Sequence, residues 1–171
     1  MKRITIIGTG AVGSAIAWTL AIHKSAAEII LIDQIHPLAE GEAMDMQNAV
    51  PLISTVTIRT GSYTDCADAD CIIITAGRPR HEGESRNDLL EGNRSIMLNI
   101  LDKLAPHYKG CYLIIVSNPV DALTYLAANY FKNYSTKIIG TGTLLDSARL
   151  RVTLAEYLHV SPGDISAYVI G

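Results

Sequence analysis

The sequence predicts an α/β fold: a doubly wound parallel sheet covered by helices on both faces. Three observations carry this. Short, nearly continuous apolar runs alternate with segments of helical period, which is the pattern of strands buried on both faces. Clusters of Gly, Pro, Ser and Asn punctuate the runs. A glycine-rich turn, Gly8-Thr9-Gly10-Ala11-Val12-Gly13, joins the first apolar run to the first helix.

Arg3–Ile7 is the first expected strand, and Ala11/Val12, Ala15/Ile16 and Thr19/Leu20 recur every four residues after it as a helix. Glu28–Asp33 is a second buried strand. Pro37–Val50 is a helix, with Pro37 suited to its first turn. Thr55–Arg59 and Asp70–Thr75 are the third and fourth strands, and a polar loop runs from Arg78 to Ser85. A long helix is expected over Ser85 to His107. The fifth strand, Tyr112–Val116, is broken by Ser117-Asn118-Pro119, and Val120–Lys132 returns as helix. Lys137–Ile139 is a short sixth strand, Gly140-Thr141-Gly142 a turn, and Leu145–His159 a helix with Leu150, Leu154 and Leu158 at four-residue spacing. Ile165–Ile170 reads as a final strand.

The 171 residues fit about one domain on a length prior of roughly 100–200 residues. With 49% hydrophobic and 18% charged residues, the chain has enough apolar surface to order itself, which excludes disorder. A formal net charge of −3 argues against a nucleic-acid groove, so no nucleic-acid partner is expected. Cys66, Cys71 and Cys111 are three, so they cannot all pair; they read as small side chains in a reducing compartment. Met1-Lys2-Arg3 followed by an apolar stretch, with Ser25-Ala26-Ala27 beyond, imitates a signal peptide. Gly8, Gly10 and Gly13 interrupt that stretch, and strand, turn and helix explain it better. No apolar run approaches the roughly 20 uninterrupted residues of a membrane span. A soluble cytoplasmic protein without a membrane partner is expected. No Cys/His spacing suggests a metal, so none is expected.

The glycine turn gains its meaning from context. The first Gly makes a tight turn, the second lets backbone approach a pyrophosphate, and the third lets helix pack on strand. The helix N-terminus offers N–H groups and partial positive charge to phosphates. Asp33 follows Gly13 by 20 residues, where a carboxylate meets the adenine ribose hydroxyls. A carboxylate there repels the extra phosphate of NADP, so NAD is the expected cofactor on a Rossmann-type sheet.

Other candidates lie after the fourth and fifth strands. Arg78, Arg80 and Arg86 share a loop with His81, Glu82 and Glu84, and suggest an anionic substrate because guanidinium pairs bidentately with carboxylate. The alternative is a solvated charged loop. Gly83 makes a moving lid plausible. The Asn118 amide either donates to a substrate oxygen or caps the helix that begins at Pro119. Asp146 and Arg149 share one helix face, either as functional groups or as an intrahelical ion pair. None of His23, His36, His81, His107 and His159 follows a strand end in a way that aims it at a nicotinamide.

ITIIGTGAVGSAIA, ILID, TAGRPRHEGESRNDLL, VSNPVD and GTGTLLDSARLR, in this order and spacing, resemble the L-lactate/malate dehydrogenase family from Ile4 to Gly171. The resemblance implies hydride transfer between the nicotinamide and C2 of a 2-hydroxy or 2-keto acid, monocarboxylic or dicarboxylic. It implies that Arg86 polarises the substrate carbonyl and that Arg80 selects the substrate side chain. Asn118 hydrogen-bonds substrate, Asp146 orients the catalytic His, and Arg149 clamps the carboxylate. The cofactor-binding set it implies is Gly8, Gly10, Ala11, Val12, Gly13, Asp33, Thr75, Ala76, Gly77, Asn93, Ser117 and Asn118. Arg at position 80, where a lactate enzyme has Gln, points to malate; Glu82-Gly83-Glu84-Ser85 is more like lactate-enzyme loops. The family's catalytic His comes just after the strand that here ends at Ile170-Gly171, so this chain is expected to lack it and to be an N-terminal portion of a protein about twice as long. Residues 1–142 are expected to be the NAD-binding domain and 143–171 the first elements of an α+β substrate domain. A homodimer or homotetramer is what the resemblance suggests for the full-length protein.

Overall fold

The computed structural model describes residues 2–79 and 82–170, without the side chains of Arg86 and Asn87. It divides into two units, Met1–Gly140 and Thr141–Gly171, so the division falls two residues before the expected one.

The first unit is a six-stranded sheet. Its strands are β1 (Arg3–Ile7), β2 (Glu28–Ile32), β3 (Thr57–Thr60), β4 (Cys71–Ile74), β5 (Tyr112–Ile115) and β6 (Ile138–Gly140). The order across the sheet is β3-β2-β1-β4-β5-β6. Every pairing is parallel, with Ile6 opposite both Leu31 and Ile73. The order reverses between β1 and β4, and that reversal opens a crevice at the carboxyl ends of the strands. The helices are α1 (Ala11–Ile22), α2 (His36–Ala49), α3 (Arg86–Leu104) and α4 (Val120–Tyr130).

Strand alternation sorts the core into two layers. Ile29 and Leu31 of β2 join Ile4, Ile6, Ala17 and Ala21 of β1 and α1, with Ala43 and Met46 of α2. Ile30 and Ile32 point the other way, into a layer with Ile72, Ile74, Met97, Leu101, Leu104 and Leu123 from β4, α3 and α4. Small side chains on α1 let it lie close on the sheet, whereas α3 brings larger ones.

The expected elements form, with changes at their ends. β2 stops at Ile32, so Asp33 is the first residue beyond the ladder. α3 begins after a capping box in which Ser85 Oγ accepts from the Asp88 N–H at 3.2 Å while the Asp88 carboxylate accepts from the Ser85 N–H at 3.1 Å. α3 ends at Leu104 rather than His107, because Pro106 has no N–H with which to continue it.

In the second unit, α5 (Leu144–Leu158) is followed by a 3-10 turn at Pro162–Asp164. The strand expected at Ile165–Ile170 is corrected: among the described residues the segment pairs with no strand. Its backbone groups bond instead to α5 and to the residue before it. Val169 N–H donates to Ser147 Oγ at 3.0 Å, the Val169 carbonyl accepts from Thr143 Oγ1 at 2.5 Å, and the Ala167 carbonyl accepts from Arg151 Nε at 3.1 Å. Apolar patterning fits a strand, but a ladder needs a neighbour to supply it.

Candidate functional site

The carboxyl ends of β1, β2, β4 and β5 gather the residues expected at a dinucleotide. Gly8 has φ +103, and a Cβ there would lie 2.7 Å from Ala76 Cα. Only glycine therefore lets the first turn pass under the loop after β4. A Cβ on Gly13 would overlap the Gly8 carbonyl oxygen and lie 2.9 Å from Thr75 Oγ1. Around Gly10 a Cβ would meet nothing within 4 Å, so this side of the turn is open. The three glycines thus do different work: turn, open approach and helix-on-strand contact. Thr75 ties the turn down, its Oγ1 donating to the Gly8 carbonyl at 2.7 Å.

Gly10 is the N-cap of α1, no side chain caps that end, and its first turn has no acidic residue. Its N–H groups and dipole are left for an anion. Ala11 and Val12 are exposed at the same end, while Gly13 is buried.

Asp33 is half-buried beside the turn. Its Oδ2 accepts from the Thr9 N–H at 2.7 Å and from Thr9 Oγ1 at 3.2 Å, and its Oδ1 accepts from the Ile35 N–H at 2.9 Å. Spacing had located the carboxylate, but not its anchor. Thr9 sits inside the glycine motif as an unconstrained position, and only the fold brings it to Asp33.

On the far side of the crevice, Ser117 Oγ donates to the Ala76 carbonyl at 2.7 Å. Asn93, buried on α3, is spent on the protein itself. Its Oδ1 accepts from the Arg78 N–H at 2.8 Å, while Nδ2 donates to the carbonyls of Arg78 at 3.2 Å and Asn118 at 2.6 Å. It joins the loop holding Gly77 and Arg78 to the loop holding Asn118. The Asn118 side chain is exposed and is not the cap of α4, whose N-cap is Pro119 with no side-chain hydrogen bond.

The charged loop resolves in part. Arg78 pairs with Glu84 through both terminal nitrogens, Nη1 at 2.7 Å, and donates to the Asp88 carbonyl at 2.9 Å. Its guanidinium lies where a Cβ on Gly92 would be. Arg78 is therefore a clamp on the loop, which corrects the expectation that it joins a substrate-facing cluster. Arg80 and His81 lie outside the described residues, as does the side chain of Arg86, whose backbone begins α3. In the second unit, Asp146 and Arg149 face each other on α5 at 3.7 Å, both well exposed.

The three cysteines are buried or half-buried. Burial pushes the Cys66 thiol up to about 12, and those of Cys71 and Cys111 to about 11. All three are unpaired. Among the described residues no cluster could hold a metal ion, and no helix is long and apolar enough to cross a membrane.

Comparison with known proteins agrees with this geometry. The profile of the lactate/malate dehydrogenase NAD-binding domain matches residues 2–140. The chain is 41% identical over 171 residues to an L-lactate dehydrogenase of Acetivibrio thermocellus, covering 100% of this chain and 54% of that protein. It is 39% identical over 166 residues to one of Gloeobacter violaceus, covering 97% of this chain and 50% of the relative. Among solved structures, a lactate dehydrogenase enzyme from a Medee basin deep-sea metagenome library superposes with a TM-score of 0.93 at 34% identity, over 99% of this chain and 55% of that one. A minor L-lactate dehydrogenase from Enterococcus mundtii gives 0.91 at 34% identity, over 99% and 55% of the two chains. The chain thus spans about half the length of the relatives it matches. A parallel sheet in this strand order, a three-glycine turn opening an uncapped helix and the match over residues 2–140 together place the chain in the lactate/malate dehydrogenase family, with residues 2–140 as its NAD-binding domain.

Proposed function

We propose that this chain is the nucleotide half of an NAD-dependent dehydrogenase that interconverts a small 2-hydroxy acid and its 2-keto acid. The observation that carries this is the glycine turn: Gly10 opens onto free space at the uncapped end of α1, next to an anchored Asp33. When bound, NAD would supply the hydride acceptor at the nicotinamide. The N–H groups of Ala11, Val12 and Gly13 would hold the pyrophosphate, and Asp33 would take the adenine ribose. Thr75, Ala76, Gly77, Ser117 and Asn118, at the ends of β4 and β5, would flank the cofactor. Asn93 would hold the two loops that carry them through its hydrogen bonds to Arg78 and Asn118.

The acid would be held by residues in the roles the family resemblance implies. Arg149 fixes the carboxylate through two parallel hydrogen bonds, which sets orientation. Arg86 stabilises negative charge developing on the C2 oxygen, Asn118 hydrogen-bonds the substrate, and Asp146 orients the catalytic imidazole. Titration of the chain with NAD and NADP tests the cofactor reading. NAD is expected to bind much more tightly, and equal affinities or tighter NADP would remove the role given to Asp33.

Malate/oxaloacetate is the proposed substrate pair, carried by Arg80. A second guanidinium suits a second carboxylate, and pyruvate's methyl would leave it unpaired at a cost of several kcal/mol, roughly. L-lactate/pyruvate is the second reading. The names of the relatives and the Glu82-Gly83-Glu84-Ser85 segment favour it, and those names lend malate no support. Steady-state kinetics on both acids, with the second half of the protein present, decides between them; a pyruvate preference sinks the malate reading. Assembly into a dimer or tetramer belongs to the same proposal. So does a cytoplasmic location, which the three unpaired thiols support.

A further inference from the structure

We propose that Thr9 is a specificity-determining positioning residue: its hydroxyl and its backbone N–H fix the Asp33 carboxylate in one orientation. Oδ1 is then left to meet the ribose, and the carboxylate cannot withdraw from a 2′-phosphate. The inference rests on the reading of Asp33 as the ribose partner and adds to it how that carboxylate is held.

An ionised carboxylate offers about four acceptor positions, two on each oxygen. Thr9 takes both on Oδ2, through N–H at 2.7 Å and Oγ1 at 3.2 Å, and the Ile35 N–H takes one on Oδ1 at 2.9 Å. One acceptor position on Oδ1 remains for a ribose hydroxyl. The three donors come from opposite sides, two from the glycine turn and one from the loop after β2. Rotating the side chain therefore breaks bonds on both sides at once.

Thr9 is itself buried and bonded in place. It is 1% exposed, and its carbonyl accepts from Ser14 Oγ at 3.0 Å in the first turn of α1. Its hydroxyl is withdrawn from water, so it has strong reason to keep a charged acceptor. A carboxylate free to turn could move aside for the phosphate of NADP. One pinned to the turn that binds the pyrophosphate keeps its charge where that phosphate must go.

The test is titration calorimetry of the 171-residue chain with NAD and with NADP. Thr9→Val removes the hydroxyl and keeps the backbone N–H. It is expected to weaken NAD by about 3- to 10-fold, the scale of one ordinary hydrogen bond, with NADP unchanged or tighter. The NAD-to-NADP preference then falls by a similar factor, and Thr9→Ser restores it. Thr9→Ala carries the same expectation should Val unsettle this buried position. Unchanged or tighter NAD binding in Thr9→Val or Thr9→Ala overturns the proposal, because the hydroxyl would then be idle or a competitor of the ribose. Asp33→Ser separates the two levels. If it leaves the preference untouched, the ribose reading of Asp33 fails and this proposal with it. If it lowers the preference while Thr9→Val does not, the positioning role alone fails. In the double variant, Thr9→Val should add nothing to Asp33→Ser, and additive effects overturn action through Asp33.

Discussion

Asn93 Nδ2 donates to the Asn118 carbonyl oxygen at 2.6 Å, which fastens the middle of α3 to the loop after β5. The same nitrogen reaches the Arg78 carbonyl, so one buried amide spans two loops that border the cofactor crevice. Asn93→Asp keeps the shape and the acceptor for the Arg78 N–H. It replaces both donations with an oxygen facing two carbonyls. We expect a stability loss of about 1–3 kcal/mol by denaturant titration, with weaker NAD binding. Wild-type values for both would show that the amide does not organise the crevice.

Gly13 tests helix-on-strand contact. An alanine Cβ would overlap the Gly8 carbonyl oxygen, which is backbone and cannot step aside as a flexible side chain does. α1 must shift outward, carrying its N–H groups with it. Gly13→Ala is expected to lower stability by about 1–3 kcal/mol, the usual range for overpacking, and to weaken NAD more than tenfold. Gly10→Ala is the control, since its Cβ meets open space in the chain. It should leave stability nearly unchanged while crowding the pyrophosphate. Equal thermal stability of Gly13→Ala and wild type would refute the contact.

Acid sensitivity is expected at the opposite edge of the sheet. Glu28 accepts from Arg3 Nε at 2.5 Å and Arg59 Nε at 2.7 Å, and Arg59 donates onward to Asp65 at 2.8 Å. Burial acts to raise the Glu28 pKa, but the guanidiniums of Arg59 and Arg3 outweigh it and hold the carboxyl below its ordinary 4.5. Asp65 is likewise held below its ordinary 3.8, burial being outweighed by the Ser62 N–H and Arg59. A lowered folded pKa means the stabilisation is present in full above the ordinary value. It is lost as pH falls through the folded one. Stability should therefore decline from about pH 4.5 downward. Glu28→Gln should cost about 1–2 kcal/mol at pH 7 and flatten that decline. A decline as steep in Glu28→Gln as in the wild type would move the cause elsewhere.

The 171-residue chain is expected to bind NAD without catalysing hydride transfer. None of its five histidines stands at the position the family resemblance gives the acid/base. General acid–base catalysis is worth about 10²–10⁴-fold by itself. Assay of NADH oxidation with oxaloacetate and with pyruvate checks this. Turnover near the ordinary enzyme range of about 1–10³ per second would make one of those five histidines the acid.

The alternation of apolar runs and helical periods determined the sheet, its parallel sense and the crevice at its carboxyl edge. Each strand's burial on both faces is a local property written into consecutive residues. The glycine spacing and Asp33 were legible for a similar reason: they lie on one βαβ unit whose geometry is fixed by length. Ile165–Ile170 shows the limit, since its apolar residues read as a strand although no strand among the described residues offers it a ladder. The tertiary structure alone decided that Thr9 holds Asp33, that Asn93 joins Arg78 to Asn118, and that Arg78 closes on Glu84. It also decided that Arg3 and Arg59 converge on Glu28. Most of these contacts join groups on different elements, and all are set by short polar distances. Such a distance follows from how strands and helices are stacked, and no periodicity within a single element encodes it.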